Sequence, residues 1–540
     1  MTGDAGDPQR LAAHHEDHAV LVANARRALE RDRPEAAAAW AQIAGHHAWM
    51  NHTGLFASPE LEAVLAQLGA RLGSPARARP AAPAPREVLH AVTQCYGTGG
   101  STQAIACWIE QDGDRHHRVC ITRQRGVAPP DKLLAPLRSP DDLIRLDTRR
   151  GGLMQRAAHL RALAAEADVV VLHSHPYDVV PVIAFAGARD LPPVVYVDHC
   201  DHVFWLGTGA AHVFMHMRDS GRLLAGARRG IDAARSTVVP RPLRPAERTV
   251  ARDEAKRRLG IDPEQVLLVT AADGTKYRPV SAPGFLDLVV PVLERHDDVL
   301  LHAAGPKEDA AWSAAAERTG GRIRALGPLP DVRLLQEAAD VYLDSYPFSS
   351  LTSLLEAGSL GVPAITYRGH PDACAVLGAD TRGVDEWLVR ASDPAAFGHA
   401  LEGLIADPAG RRERGARMER AIRETHTGEG WLAAAEALYA LATEAQPPSP
   451  SAAVAPEAGP LDVLVDLVMT QTGFAQGALG ATRDHLALLP LRERVAAATR
   501  LTRSGRRPPP GNVVPEWTLA RLRRCRETAR GLTSRSPSGA

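Results

Sequence analysis

A chain of 540 residues is too long for a single hydrophobic core, so the length predicts at least two domains. Lysine plus arginine and aspartate plus glutamate both number 63, and this zero formal charge argues against nucleic acid as the main partner. The six cysteines are scattered without a Cys-x-x-Cys pair, which is typical of reduced thiols in a reducing compartment.

The chain shows no targeting or membrane signal. The N-terminal sequence MTGDAGDPQRLAAHHEDHAV lacks a basic segment followed by an apolar run, so it does not resemble a signal peptide. No uncharged apolar stretch reaches the ~20 residues that a membrane-spanning helix needs. We therefore expect a cytoplasmic protein without an integral membrane segment.

Three proline-rich stretches, residues 73–87, 446–460 and 505–511, predict domain boundaries. Before the first of them, alanine-rich sequence with helical spacing predicts an N-terminal helical module at residues 1–72. Beyond the second, residues 461–540 are expected to form a helical C-terminal extension.

Between the first two linkers, short β-branched segments alternate with amphipathic ones. The segments are EVLHAVTQ, HRVCIT, DVVVLHSH and PVVYVDH in one block, and QVLLVTAA, DVLLHAAG, IRALG, DVYLDSY and PAITY in the next. Such strands are typical of parallel sheets buried on both faces, and the alternation predicts βαβ units. We therefore predict an α/β protein with two doubly wound, Rossmann-like domains, residues 86–245 and 246–445. Ligands bind beyond the carboxyl ends of such strands, so the two domains should face a cleft.

The segment ADVYLDSYPFSSLTSLLEAGSLGVPAITY is the richest in candidate ligand contacts. A strand is expected to end at Tyr346, Pro347 to break it, and a helix to begin near Ser349. One face of that helix would carry four polar residues, Ser349, Thr352, Ser353 and Glu356. The free N–H groups of a hydroxyl-rich helix start favour phosphate, and a carboxylate two turns later suits a ribose. The alternative is an N-capped helix with a solvated polar face.

Two other turns are expected at the same kind of position. Lys276 follows the first strand of the second domain in QVLLVTAADGTKYRPV, where a cation would meet a diphosphate. Gly99 and Gly100 follow the first strand of the first domain in CYGTGGSTQAI and would let the backbone approach a ligand. The alternatives are a surface lysine and the glycine turn that any Rossmann-like domain contains.

The segment VVYVDHCDHVFWLG places His199 at the end of a predicted strand, with Asp201 two residues later. The preceding strand ends near His175. Three interpretations remain open: a zinc site, a structural polar loop, and an acceptor and catalytic site. We favour the third, with His199 as the general base and Asp201 or His175 as the next candidates, and we expect no metal.

From about Val266 to Tyr439, the sequence resembles the nucleotide-sugar-binding half of GT-B glycosyltransferases. It is most similar to the O-linked N-acetylglucosamine transferase type and its bacterial relatives, through the segments ADVYLDSYPFSSLTSLLEAGSLGVP and TAADGTKYRP. The resemblance implies that the hydroxyls of Thr352 and Ser353 and the cation of Lys276 bind the donor diphosphate. It also implies that Glu356 binds the ribose.

The resemblance extends to three other places. The segment LGPLPDVRLL, which contains Leu329, is similar to the loop that meets the base. The turn with Gly99 and Gly100 looks like the glycine loop that closes over the donor phosphate. Related GT-B enzymes commonly carry a histidine at the strand end where His199 stands. Phe348 replaces the second glutamate of many retaining enzymes, so the stereochemical outcome stays open.

These observations predict a glycosyltransferase of the hexosyl or N-acetylhexosaminyl class. Its donor would be a nucleotide-diphosphate sugar, with no further cofactor, and its acceptor a glycan, a peptide or a small molecule. The alternatives are a nucleotide-sugar epimerase of the same fold and a non-catalytic protein that binds nucleotide or acts as a protein-binding scaffold. Residues 429–445 are the expected helix that crosses back onto the first domain.

Overall fold

The computed structural model describes residues 8–73, 85–97, 99–188, 191–449, 454, 458–471, 473 and 475–519. Most of the predicted linker at residues 73–87, part of the one at 446–460 and the end of the C-terminal extension lie outside these ranges. Among the described residues, no helix combines the length and the apolar character needed to cross a bilayer.

The first sheet is built from short, valine-rich strands that run parallel to one another. Its strands are β1 (Glu87–Val92), β2 (His116–Ile121), β3 (Leu143–Arg145), β4 (Val169–His173), β5 (Val194–Asp198), β6 (Val213–His216) and β7 (Ser236–Val238). Their spatial order is β3-β2-β1-β4-β5-β6-β7, so the direction of winding reverses between β1 and β4. Such a reversal opens a crevice at the carboxyl ends of the strands.

Helices precede this sheet and connect its strands. The leading helices are α1 (Pro8–Glu30), α2 (Pro34–Met50) and α3 (Pro59–Ala70), and the connecting helices are α4 (Gly100–Gln111), α5 (Asp131–Leu134), α6 (Leu153–Ala164), α7 (Val179–Phe185) and α8 (Asp219–Arg229). Leu21, Ile43 and Leu61 of the leading helices share one hydrophobic core with Val170 and Leu172 of β4. The leading helices therefore pack as part of the first domain.

The second sheet is also parallel and has the order β10-β9-β8-β11-β12-β13. Its strands are β8 (Val266–Ala271), β9 (Val299–Ala304), β10 (Ile323–Gly327), β11 (Val341–Leu343), β12 (Ala364–Tyr367) and β13 (Val389–Ala391). Its helices are α9 (Arg252–Arg258), α10 (Phe285–Leu293), α11 (Ala310–Arg318), α12 (Arg333–Ala338), α13 (Leu351–Gly358), α14 (Pro394–Ala406) and α15 (Pro408–His426). The winding reverses between β8 and β11.

Four helices follow the second sheet: α16 (Gly428–Glu444), α17 (Pro460–Gln471), α18 (Gly477–His485) and α19 (Leu491–Arg503). Helix α16 returns to the first domain, where Trp431 and Tyr439 pack with Val171 of β4. Helix α18 packs against α2, and Leu501 of α19 joins the core of the first domain.

The predicted fold class, two doubly wound α/β domains with helical extensions, is confirmed. The nine predicted strands are present, but β3, β6, β7 and β13 were not predicted. These four strands are only three or four residues long, which is too short to give a clear hydrophobic pattern.

Candidate active site between the two sheets

Two loops meet at the point where the winding of the second sheet reverses. The loop after β8 carries Lys276, and the loop after β11 leads into α13. Since β8 and β11 are adjacent parallel strands, their carboxyl ends open at the same edge of the sheet. The sequence-predicted donor residues of the second domain therefore lie on these two neighbouring loops.

The side chain of Lys276 connects the two loops. Its Nζ donates a hydrogen bond to the carbonyl oxygen of Ser349 at 2.7 Å and lies 4.3 Å from the centre of the Phe348 ring. Burial lowers the pKa of Lys276 to about 8, although the carboxylate of Asp344 acts in the opposite direction. The ammonium group retains donors beyond the one that Ser349 uses, because an ammonium carries three N–H bonds.

The loop after β11 is longer than the sequence suggested. The strand ends at Leu343 and the helix begins at Leu351, so the expected strand end at Tyr346 and helix start near Ser349 were wrong. The cause is Asp344, whose carboxylate accepts hydrogen bonds from the backbone N–H of Ser350 at 3.0 Å and from the hydroxyl of Thr366 at 2.9 Å. This carboxylate, rather than a continuing strand, shapes the loop.

Helix α13 carries three of the four predicted polar residues. Thr352, Ser353 and Glu356 lie on the helix, whereas Ser349 precedes it and contributes its carbonyl oxygen to Lys276. Burial raises the pKa of Glu356, while the charge of Arg241 and a hydrogen bond from Gln336 act to lower it. Glu356 is thus a partly desolvated carboxylate that faces a cation.

Arg241 is the principal residue that sequence reasoning missed. It lies in the connection between β7 and α9, is buried, and contacts the sulfur of Met217 through Nη1 at 3.4 Å. Its Nε and Nη2 atoms are buried and have no hydrogen-bond partner among the described residues. The charge of Glu356 acts on this guanidinium, but buried N–H groups without acceptors are costly, so the hydrogen bonding of Arg241 is incomplete. The only signal in the sequence is a cation directly after a strand, in VVPRPLRP.

The predicted glycine turn brings the first domain to the same point. A Cβ atom on Gly100 would lie 2.4 Å from Nη2 of Arg241 and 2.8 Å from Oγ1 of Thr352. Gly99, which precedes α4, has a φ of 100°, a conformation that glycine adopts without strain. The start of α4, the connection to the second domain and the start of α13 therefore converge on Arg241.

A cavity of about 450 Å³ opens beside this point. The first domain and the connection line it with Gln103, Cys107 and Leu243, and the second domain lines it with Leu329 and Glu356. The volume lies within the range of small-molecule sites. The structure thus places Leu329 and Glu356, two of the predicted donor residues, around one cavity between the domains.

His199 lies across the cleft, after β5 of the first sheet. Its Nε2 is 2.9 Å from Nδ1 of His173, and its Nδ1 has no hydrogen-bond partner among the described residues. Desolvation is the main cause that lowers the pKa of His199 to about 3, and the positive charge of Arg241 acts in the same direction, whereas the carboxylate of Asp201 acts in the opposite one. The ring is therefore neutral at physiological pH and carries one N–H donor and one lone pair.

The other two candidate bases are engaged. Both carboxylate oxygens of Asp201 accept hydrogen bonds from the guanidinium of Arg218, at 2.6 and 2.9 Å. Burial acts to raise the pKa of Asp201, but this ion pair holds the pKa well below its usual range. His175 contacts the hydroxyls of Tyr177 at 3.1 Å and Tyr96 at 3.4 Å. Burial and nearby arginine charges lower the pKa of His175 to about 3.

The dense segment from Asp198 to His202 does not converge on one point. Asp198 pairs with His216 at 3.0 Å, Asp201 pairs with Arg218, and His199 meets His173. Among the described residues, no three His, Cys, Asp or Glu side chains lie together as metal ligands would. The polar side chains of this segment therefore bind different neighbouring residues.

Part of the chain matches a known family. Residues 277–407 match the family model described as glycosyl transferases group 1. This range covers the second sheet after β8 and includes α13 with Thr352, Ser353 and Glu356. No curated protein matches the sequence.

Solved structures resemble most of this chain, including both sheets. A glycosyltransferase from Rickettsia africae is 10% identical, with a TM-score of 0.50 over 66% of this chain and 99% of that one. The HepE protein of Anabaena, in complex with UDP and glucose, is 14% identical, with a TM-score of 0.49 over 65% and 98%. A variant of the O-GlcNAc transferase from Thermobaculum terrenum is 18% identical, with a TM-score of 0.44 over 81% and 85%. The chain has the GT-B arrangement of two facing α/β domains.

Proposed function

We propose that this protein, which resembles GT-B glycosyltransferases in its fold and in residues 277–407, transfers a sugar from a nucleotide-diphosphate sugar to an acceptor hydroxyl. The second domain binds the nucleotide. The first domain holds the acceptor and supplies the general base. The sugar is a hexose or an N-acetylhexosamine, and the acceptor is a glycan, a peptide or a small molecule.

The observation that carries this proposal is the unpaired guanidinium of Arg241 at the junction of the two domains. A diphosphate would supply the hydrogen-bond acceptors that Arg241 lacks, and it would also lie near the hydroxyl of Thr352 and the start of α13. Lys276 on the neighbouring loop provides a second cation. These groups favour an anionic ligand with several oxygens.

The adjoining cavity suits the nucleoside of the same ligand. Glu356 would accept hydrogen bonds from ribose hydroxyls, and the loop with Leu329 would contact the base. The carboxylate is partly desolvated, so each hydrogen bond that it accepts counts for more than it would in water. The site thus offers cations for a diphosphate and an adjoining cavity for a nucleoside. This combination supports a nucleoside diphosphate over a free phosphate as the ligand.

The chemistry follows from the charges on the two sides of the cleft. As the bond between the sugar and the diphosphate breaks, the leaving oxygen gains negative charge, which Arg241 and Lys276 would stabilise. His199 would take the proton of the acceptor hydroxyl through Nδ1 as that oxygen attacks the anomeric carbon. A diphosphate at Arg241 would also offset the charge that lowers the pKa of His199, so donor binding would make the base stronger.

The test is turnover with sugars of UDP, GDP, ADP and TDP, with and without candidate acceptors, followed by mass spectrometry. We expect one donor to be consumed, with the sugar found on an acceptor or, slowly, on water. The Lys276→Ala variant should need more donor for the same rate, whereas Lys307→Ala, on the loop after β9, should match the wild type. Isomerisation of the donor alone would favour an epimerase. Absence of both turnover and nucleotide binding would contradict the proposal and favour a scaffold protein.

A further inference from the structure

Four histidines form one continuous line of hydrogen bonds across the first sheet. Nε2 of His199 lies 2.9 Å from Nδ1 of His173, and Nε2 of His173 lies 3.0 Å from Nδ1 of His90. Nε2 of His90 lies 2.9 Å from Nδ1 of His117, whose own Nε2 lies 2.9 Å from the carbonyl oxygen of Asp112. Each ring thus uses the same pair of nitrogens in the same order.

The register of the sheet produces this line. The histidines come from four adjacent strands, in the spatial order β2-β1-β4-β5, with His199 just after β5. His117 pairs with Val88, two residues before His90, and His90 pairs with Val171, two residues before His173. A shift of two residues keeps side chains on the same face, so the rings step diagonally across the sheet.

The inner three rings are shielded from water. His90, His117 and His173 are buried, and Trp108 of α4 lies against both His90 and His173 at ring-centre distances of 5.8 Å. His199, at the cleft, is partly exposed. The line therefore has one end at the cleft and the other beneath α4, beside Asp112.

All four rings are neutral at physiological pH. Burial is the main cause that lowers the pKa of His90 and His173 well below the usual range, and burial also lowers the pKa of His117. A neutral imidazole has one N–H donor and one lone pair. Each ring in the line can therefore donate in one direction only.

The carbonyl oxygen of Asp112 sets that direction. A carbonyl only accepts, so His117 must carry its proton on Nε2, and its Nδ1 must accept from His90. The same reasoning passes along the line: His90 donates to His117, His173 donates to His90, and His199 donates to His173. The carboxylate of Asp112, 3.5 Å from Nε2 of His117, is also an acceptor and favours the same direction.

We propose that His173, His90 and His117 are positioning residues that hold the proton of His199 on Nε2 and thereby present Nδ1 to the cleft as the basic atom. The catalytic part of this inference rests on the proposed glycosyl transfer, whereas the proton positions do not. A histidine in the wrong tautomer cannot accept a proton at the required atom. Hydrogen bonds that enforce the right tautomer keep the whole population of the enzyme active.

The same line can carry charge away from the cleft. When Nδ1 of His199 takes the acceptor proton, Nε2 of His199 can pass its own proton to Nδ1 of His173, and each following ring can do the same. No atoms are gained or lost beyond the one proton taken up. The net result is one positive charge on His117, beside the carboxylate of Asp112, and a neutral His199 with its proton on Nδ1.

The direct test is nuclear magnetic resonance of the full-length protein labelled with ¹⁵N-histidine. Nitrogen shifts distinguish Nε2–H, Nδ1–H and doubly protonated rings, and single histidine-to-glutamine variants assign the four signals. We expect all four rings as Nε2–H tautomers at neutral pH. A proton on Nδ1 of any of the four, or a doubly protonated ring, would overturn the inference whether or not the protein has transferase activity.

A kinetic test uses His90, which touches neither the cleft nor a proposed ligand. His90→Leu breaks the line and should lower kcat by about 10-fold to 10²-fold, with an unchanged KM for the donor. His90→Gln keeps one donor and one acceptor, so it should recover most of kcat. The control is His302→Leu, which removes a buried histidine from β9 of the other sheet and should leave kcat unchanged.

Full activity in His90→Leu, or equal losses in His90→Leu and His90→Gln, would contradict the positioning role. If His90→Leu does not fold, the tautomers of the wild type and the rate of His90→Gln decide the question. If the wild type shows no transfer with any donor, the proposed function fails, while the tautomer measurement still judges the line of histidines.

Discussion

The two sides of the cleft differ in how complete their electrostatics are. On the donor side, Arg241 has two buried nitrogen atoms without a hydrogen-bond partner among the described residues. Lys276 donates only one of its three N–H groups, to a carbonyl oxygen. On the acceptor side, Asp198, Asp201 and His199 each have a partner within the protein, although Oδ1 of Asp198 and Nδ1 of His199 have none among the described residues. The donor side therefore needs an anion to complete it, whereas the acceptor side is organised before any ligand arrives.

This difference separates binding from chemistry. Residues of the donor side should control the affinity for nucleotide, because a ligand supplies their missing hydrogen-bond partners. Residues of the acceptor side should control the rate of sugar transfer, because their protonation states are set before the ligand binds. Substitutions on the two sides should thus change different parameters.

The largest expected effect is on turnover. His199→Ala should lower kcat ~10²-fold to 10⁴-fold, because the general base is lost. The affinity for nucleoside diphosphate, measured by titration calorimetry, should stay unchanged. His159→Ala, on the exposed side of α6, is the control and should match the wild type. A parallel loss of affinity in His199→Ala would remove the distinction between the two sides.

Arg241→Met should weaken the binding of nucleoside diphosphate by about 2–5 kcal/mol, because a buried charge on the ligand would lose its partner. The ligand-free variant should unfold at the same or a higher temperature, because an unpaired buried guanidinium is replaced by an apolar side chain. Calorimetry and thermal unfolding together test this. Unchanged affinity would place the diphosphate elsewhere, and loss of stability without ligand would give Arg241 a structural role.

Lys276→Ala should weaken nucleoside diphosphate by ~1.5–3 kcal/mol, the range for a charged hydrogen bond. The pKa of Lys276 in the free protein is about 8, so its charge is present below that pH and lost above it. Between pH 7 and pH 9, the affinity of the wild type should therefore fall, by roughly 10-fold at most. Lys276→Arg keeps the charge and should flatten this dependence. An equally steep fall in Lys276→Arg would assign the titration to another group.

The smallest expected effect concerns the glycine turn of the first domain. Gly100→Ala would place a methyl group against Arg241 and Thr352, and it should weaken donor binding by about 1 kcal/mol, because the long arginine side chain can partly retract. Gly97→Ala in the same turn is the matched control, since no atom lies within 4 Å of its Cβ position. Equal KM values for the donor in the two variants would separate this turn from the donor site.

The donor side was the more predictable one because its contacts are local in sequence. Thr352, Ser353 and Glu356 follow helical spacing within one segment, and Lys276 follows a recognisable strand. Ser349 was misplaced because the side chain of Asp344, and not backbone propensity, ends the strand and shapes the loop.

The acceptor side depends on long-range register, which no local pattern reports. His90 and His117 stand in ordinary buried strands, and only the pairing of β2, β1 and β4 aligns them with His199. Arg241 likewise gains its role from the meeting of three separate elements. The available signal was at least one histidine in each of four predicted strands, and it carries meaning only when the strand order is known.

The central claim is that a nucleoside diphosphate completes the charge of Arg241 between the two domains. The most direct measurement is a crystal structure with whichever of UDP, GDP, ADP or TDP raises the melting temperature most. We predict a diphosphate within hydrogen-bond distance of the Arg241 guanidinium and a nucleoside in the cavity of about 450 Å³ beside Glu356. A nucleotide in the cavity of about 590 Å³ lined by Asp273, Lys307 and Trp312, with Arg241 still unpaired, would contradict it.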